Sequence, residues 1–108
     1  MIDQSQPLAM LAHRAGEVAE VLKVMANEQR LLLLCRLSFG ECSVGELVEL
    51  SGLSQSGVSQ HLAKMREGDI VSTRRHGTTI HYRLSDDRVR TLIDLMCERF
   101  GGEVPSAV

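Results

Sequence analysis

The chain has 108 residues, of which 44% are hydrophobic and 24% are charged, and its formal net charge is −2. This size and composition fit one globular domain over 1–108 and exclude a disordered, collagen-like or disulfide-built protein. The three cysteines form no C-x-x-C pair, and the first ten residues lack a signal-peptide pattern. No apolar run approaches the roughly 20 residues of a membrane span. We therefore expect a cytoplasmic protein with reduced thiols and no membrane contact.

The apolar spacing predicts three helices in the first half of the chain. Over 8–26 apolar residues recur at intervals of three and four, the period of an amphipathic helix. Asn27 is placed to cap a second helix over 28–39, whose four consecutive leucines predict a buried central element. The segment Ser43-Val44-Gly45-Glu46 has the S-x-x-E pattern of a capping box, which predicts a short third helix to about Leu50.

A fourth helix follows after a tight turn. Gly52 breaks the chain, and Ser54 is placed to cap a helix whose buried stripe is formed by Val58, Leu62 and Met65. Two short helices joined by a glycine-containing turn indicate a helix-turn-helix over 43–68.

The last third of the chain predicts a hairpin and a closing helix. Apolar and polar residues alternate within 70–84, and His76-Gly77 is expected to form the turn between two strands. Ser85, followed by two aspartates, is placed to cap a fifth helix over 86–100. The tail 101–108 is expected to be flexible.

Four helices, a two-stranded hairpin and a final helix predict a mainly α fold with a small β-hairpin wing (α+β), a winged helix-turn-helix. In such a fold the fourth helix turns a polar face toward base edges, and its candidates are Gln55, Ser56, Ser59, Gln60, His61 and Lys64. Arg74 and Arg75 lie near the hairpin tip, where they can reach a phosphate or the minor groove. An ordinary solvated helix face would show the same polar residues, and this alternative stays open.

The charge distribution favours the nucleic-acid interpretation more than the net charge does. Five basic and two acidic residues lie within 54–83, whereas the rest of the chain has seven basic and twelve acidic ones. A basic face on an acidic body is sufficient to attract the phosphate backbone.

Four segments of the sequence resemble the ArsR/SmtB family of bacterial repressors. They are MANEQRL at 25–31, SVGEL at 43–47, LSQSGVSQHL at 53–62 and VSTRR at 71–75. The resemblance implies a homodimer with the first and fifth helices, 8–26 and 86–100, at its interface. It also implies that the dimer binds a pseudo-palindromic double-stranded DNA operator and releases it when an inducer arrives.

The two metal-binding arrangements found in this family are incomplete here. The first needs a C-x-C pair at the start of the third helix, where only Cys42 is present. The second needs four acidic or histidine ligands on the fifth helix, but three of those positions hold Arg88, Arg99 and Gly102, which cannot bind zinc. We therefore expect no metal and no cofactor. A metalloid site of three thiolates remains an alternative, formed by Cys35, Cys42 and Cys97.

The cysteines resemble more closely the branch of the family that includes BigR, SqrR and HlyU, and the wing over 71–82 also resembles NolR, for which we infer no thiol switch. That branch senses sulfide, persulfide or oxidant through one thiol on the second helix and one near the end of the fifth. Cys35 matches the first position, whereas Gly101 occupies the second and Cys97 lies one helical turn earlier on the same face. The resemblance implies a redox switch at Cys35 and Cys97, with reactive sulfur or an oxidant as inducer.

Three further interpretations are weighed against this switch. A constitutive repressor would leave the thiols idle, and a protein-interaction module would leave the polar face and the wing idle. An enzyme is not expected, because the four histidines are scattered and no nucleophile, base and orienting group recur at workable positions. Cys42 is expected to be exposed and dispensable.

Overall fold

The structure, a computed structural model, describes residues 5–101. Its elements are α1 (Ser5–Met25), α2 (Glu28–Leu37), β1 (Cys42–Ser43), α3 (Val44–Ser51), α4 (Gln55–Glu67), β2 (Val71–His76), β3 (Thr79–Leu84) and α5 (Asp87–Phe100). The predicted fold class, a mainly α winged helix-turn-helix, is confirmed. Apart from Gly101, the predicted tail lies outside the described residues, as does Gly102.

Side-chain caps begin the helices, largely as predicted. The side chain of Asn27 accepts a hydrogen bond from the N–H of Arg30. Ser43 and Glu46 form the reciprocal capping box of α3, and Ser54 caps α4. The predicted cap of α5 is wrong by one residue. The Asp86 carboxylate accepts hydrogen bonds from the N–H groups of Arg88 and Val89, while the Ser85 hydroxyl donates to Ile70 O at 3.3 Å. An aspartate at this position also neutralises the positive end of the helix dipole.

The sheet contains a strand that the sequence pattern did not predict. It has three antiparallel strands in the order β1-β3-β2, with Cys42 opposite Tyr82 and Ser43 opposite His81. The hairpin turn is Gly77-Thr78 rather than His76-Gly77, because His76 still pairs with Thr79. Gly77 has a φ of 63°, a left-handed conformation that glycine adopts without strain.

The core is aliphatic and lies between α2, α3, α4, α5 and the sheet. The predicted stripe of α4 is fully buried. Within α2, which was predicted to be a buried central element, Leu33 and Leu34 are buried but Leu32 is 60% exposed, so one side of this helix is open to solvent. Cys42 is completely buried rather than exposed, because strand β1 turns its side chain to the core side of the sheet.

Arg90 connects three parts of the fold. Its guanidinium donates to Ser38 O, at the end of α2, at 3.0 Å and to Leu84 O, at the end of β3, at 2.7 Å. The first half of α5 is thereby fixed to α2 and to the wing. Among the described residues, no helix combines the length and the apolar character needed to cross a membrane.

Candidate nucleic-acid interface and thiol pair

The outer face of α4 is polar and open to solvent. Five of the six candidate residues on it are exposed: Gln55, Ser56, Ser59, Gln60 and Lys64. None of them belongs to the buried stripe of the same helix, so none of them supports the core. The arrangement presents hydrogen-bonding groups on a rigid rod that fits a major groove.

Gly57 in α4 is explained by the helix cap. Its N–H donates to the hydroxyl of Ser54 at 3.0 Å, and a Cβ at position 57 would lie only 3.1 Å from that oxygen. A larger residue would crowd the hydrogen bond that begins the helix. Glycine therefore preserves the cap.

His61, the sixth candidate on α4, is half-buried and turned toward the preceding helices. Its Nδ1 lies 3.4 Å from Nη1 of Arg30, and Arg30 Nε also donates to Val24 O. Burial, and then the charge of Arg30, lower the pKa of His61 below its ordinary value. A neutral imidazole beside an arginine orients α4 against α1 and α2, and it offers a phosphate no charge.

The two wing arginines differ in their surroundings. The side chain of Arg75 is exposed and forms no hydrogen bond or ion pair with any residue from Ser5 to Gly101. Arg74 is also exposed, but it donates through Nε to His76 Nε2 at 3.1 Å and through Nη2 to Glu41 at 3.3 Å. Arg75 is thus immediately available to a phosphate, whereas Arg74 must first leave its partners.

Apolar side chains remain exposed along α1 and α5. An ion pair of 3.2 Å between Glu17 and Arg88 joins the two helices. Hydrogen bonds from Arg14 and then from Arg88 lower the pKa of the Glu17 carboxyl. Both helices carry uncovered large hydrophobic residues: Leu8, Met10, Leu11, Leu22, Leu92, Leu95 and Phe100. Only Met25 of α1 is buried, so this helix has little core of its own.

Cys35 on α2 and Cys97 on α5 lie side by side. Their sulfurs are 2.9 Å apart, and both residues are half-buried. The hydrogen bond with Cys97, and then burial, raise the pKa of Cys35 to about 11. Arg36, the neighbour of Cys35 in the sequence, does not counter this rise. Arg36 instead lowers the pKa of Cys42, but burial of Cys42 outweighs this effect.

An apolar cleft of about 330 Å³ leads to the two thiols. Its walls come from α2 and α5 and include Leu31, Leu32, Ile93, Met96 and Phe100. Cys42 is in the core, where it pairs with Tyr82 in the sheet, and does not line this cleft. The structure therefore brings two of the three cysteines together and leaves the third apart.

Some residues around these sites were not predicted. Glu41, His76 and His81 come together beside the wing, and Arg30 contacts His61. A hairpin register would have placed His76 and His81 on one face, but the contribution of Glu41 depends on strand β1, which has no sequence period of its own.

The sequence matches the family model described as "Bacterial regulatory protein, arsR family" over residues 27–73. It is 44% identical to the biofilm growth-associated repressor of Agrobacterium fabrum, over 83% of this chain and 77% of that protein. It is 43% identical to the transcriptional activator HlyU of Vibrio cholerae, over 82% of each chain. Both relatives are named as regulators of transcription and not as enzymes.

Two solved structures have the same fold. The transcriptional repressor BigR from Xylella fastidiosa superimposes with a TM-score of 0.81 at 39% identity, covering 88% of this chain and 97% of that one. A homodimeric winged helix-turn-helix DNA-binding domain from Mycobacterium bovis gives 0.70 at 33% identity, covering 89% and 86%. The fold, the polar helix face and the thiol pair thus occur in a chain that is similar to regulators over most of its length.

Proposed function

The chain belongs to the arsR family of bacterial regulatory proteins, and on this premise we propose that it is a homodimeric repressor that releases a pseudo-palindromic operator when Cys35 and Cys97 become linked. The observation that carries the proposal is the distance of 2.9 Å between the sulfur of Cys35 on α2 and the sulfur of Cys97 on α5. A bond between them would join the two helices. No enzymatic step is part of this function.

Contacts to DNA are assigned to α4 and to the wing. The exposed side chains of Gln55, Ser56, Ser59, Gln60 and Lys64 support readout of base edges and phosphates. His61 is assigned to orienting the helix. Arg74 and Arg75 extend the surface to the backbone beside the groove, where each neutralised phosphate adds to the salt dependence of binding.

The dimer is supported by the uncovered apolar residues of α1 and α5. A second copy of the same chain offers the same two faces, so a twofold axis pairs them with each other. The related domain from Mycobacterium bovis is itself described as homodimeric. Two copies of α4 then meet major grooves about 34 Å apart, which explains why the operator should be a pseudo-palindrome.

The chemical step is assigned to the two thiols. With peroxide, one thiol becomes a sulfenic acid and releases water, and the other thiol displaces a second water to form the disulfide. With a persulfide, a thiolate first takes up the outer sulfur and releases the donor as a thiol. The persulfide formed on this cysteine and the thiol of the other cysteine are then oxidised together by a second persulfide molecule. That molecule accepts two electrons and leaves as a thiol and hydrogen sulfide, and the two cysteines are joined through one extra sulfur.

Linking the sulfurs fixes α5 to α2 and changes the orientation of the dimer helices. Because the same helices set the spacing of the two copies of α4, the linked form fits the operator less well. A coupling free energy of about 1 to 3 kcal/mol would lower operator affinity about 5- to 150-fold.

The test is operator binding by the reduced, peroxide-treated and persulfide-treated protein, using a fragment of its own promoter. Cys35→Ser and Cys97→Ser should bind DNA when reduced and should keep binding after treatment. Cys42→Ala is the matched control, since it removes the buried thiol outside the cleft, and it should still release DNA. Mass spectrometry of each sample identifies the link.

Three results would contradict the proposal in different ways. If Cys35→Ser and Cys97→Ser release DNA as the unmodified protein does, the switch is wrong and a constitutive repressor is the better description. If Cys42→Ala alone abolishes release, Cys42 takes part in the switch and its assignment to Cys35 and Cys97 alone is wrong. If the reduced protein does not bind the fragment at all, DNA binding itself is wrong and a protein-interaction module is favoured.

A further inference from the structure

A second group of reactive side chains lies beside the wing, apart from the thiols. Glu41 precedes β1, His81 lies on β3 and His76 ends β2, and one ligand atom from each lies within 4.8 Å of the others. Nε2 of His76 is 3.3 Å from the Glu41 carboxylate, and the two imidazole rings have their centroids 4.6 Å apart.

We propose that Glu41, His76 and His81 form a binding site for a divalent ion of the zinc class. Two imidazoles and one carboxylate are a ligand set that zinc accepts, with water in the fourth position. Ligands about 2.0 to 2.1 Å from a tetrahedral ion are about 3.3 Å from each other. The separation of His76 and Glu41 already has this value, and the ligand atom of His81, within 4.8 Å of both, must move closer to complete the set.

The sheet holds these three residues on one face. In the register, His81 lies opposite Arg74 on one side and opposite Ser43 on the other, and Arg74 and His76 are two residues apart on β2. Glu41 directly precedes β1, and its contacts with Arg74 and His76 place its carboxylate on the same side. The opposite face carries Cys42 and Tyr82 toward the core. His76 and His81 therefore lie on paired strands, and Glu41 directly precedes the third strand.

Arg74 occupies the position that the ion would take. Its guanidinium donates to the same His76 nitrogen and to the same Glu41 oxygen that would bind the metal. One cation thus substitutes for another, and the ion can enter only when Arg74 leaves. Because Arg74 is exposed and Glu41 is only half-buried, Arg74 is held weakly and the exchange is reversible.

The exchange has a consequence for DNA binding that rests on the proposed function. An arginine released from Glu41 becomes available to a phosphate, and the bound ion adds positive charge next to it. Zinc at the wing should therefore strengthen operator binding by the reduced protein. This effect is opposite to that of the thiol link and independent of it.

The site is tested by titrating zinc into the reduced protein against a chromophoric zinc indicator. A Cys35→Ser, Cys97→Ser background keeps the thiol pair from competing for the ion. We expect one ion per chain. His76→Gln and His81→Gln should each weaken binding more than about 10-fold, since even outer-shell partners of a metal are worth 10- to 100-fold. Arg74→Gln should tighten binding, because it removes the competing cation.

His13→Gln is the matched control, since this histidine is exposed on α1 and outside the group, and it should bind zinc as the parent does. Unchanged affinity in His76→Gln or His81→Gln would overturn the site. Unchanged or weaker affinity in Arg74→Gln would overturn the competition with arginine. Operator binding by the metal-free protein is measured in parallel. Its absence would contradict the proposed function and leave the zinc result intact.

Discussion

Linking Cys35 to Cys97 should raise the free energy of unfolding by several kcal/mol. The two residues are 62 positions apart, and a cross-link over such a loop removes about 14 cal/mol/K of chain entropy from the unfolded state, or about 4 kcal/mol at 25 °C. The sulfurs are already 2.9 Å apart, so reaching the bond length of about 2.05 Å requires a movement of only about 0.9 Å. Little of the gain should therefore be lost to strain.

The measurement is urea unfolding of reduced and oxidised protein at the same protomer concentration, because a dimer's apparent stability depends on concentration. If the free energy of unfolding falls by about 2 kcal/mol per M urea, the oxidised form should reach its unfolding midpoint at a urea concentration about 2 M higher. A Cys35→Ser, Cys97→Ser protein should show no shift under the same treatment. An oxidised protein that forms the intramolecular bond but unfolds at the same or a lower urea concentration would refute the reasoning, since the bond would then distort the packing of α2 on α5.

Three other outcomes are expected. Arg75→Ala should weaken binding to every DNA sequence and lower the slope of log affinity against log salt concentration by about one. Gln60→Ala should instead relax the sequence preference. Binding titrations at several salt concentrations distinguish the two effects. Leu92→Asp should dissociate the dimer in sedimentation because it places an unpaired charge in the proposed interface, while Leu50→Asp on α3 should not. The rate of Cys35 alkylation should rise about tenfold per pH unit up to a pH of about 11, because the raised pKa leaves the thiol protonated below that value. A plateau of the rate near pH 8.5, the ordinary pKa of a thiol, would contradict this.

The helix starts could be predicted because a cap is a local interaction. Asn27, Ser43 and Ser54 each accept an N–H only three residues away, so the residues that form the cap are also the residues that reveal it. The cap of α5 was predicted one residue too early, because three consecutive residues, Ser85, Asp86 and Asp87, can all serve as caps. Only the hydrogen bond of Ser85 to the distant Ile70 leaves Asp86 as the cap.

The features that the sequence pattern missed depend on distant partners. Strand β1 has two residues, too few for any period, and it exists because β3 offers it a free edge. Burial of Cys42 and the position of Glu41 both follow from this pairing. The facing of Cys35 and Cys97 was implied by family resemblance and by helical spacing. Their distance, and the rise in the Cys35 pKa, depend on how α2 and α5 pack, which no local pattern encodes.

The contacts of Arg90 make α5 a lever with a fixed pivot. Cys97 lies seven residues beyond Arg90, or about 10 Å along the helix axis. If the backbone takes up the whole 0.9 Å of closure, α5 turns about this pivot by roughly 5°. Carried over about 25 Å, roughly half of the molecule's 52 Å length, that turn amounts to about 2 Å. A base-edge hydrogen bond tolerates only a few tenths of an ångström, so in the proposed dimer a sub-ångström closure at the sulfurs would be amplified enough to disturb DNA contacts.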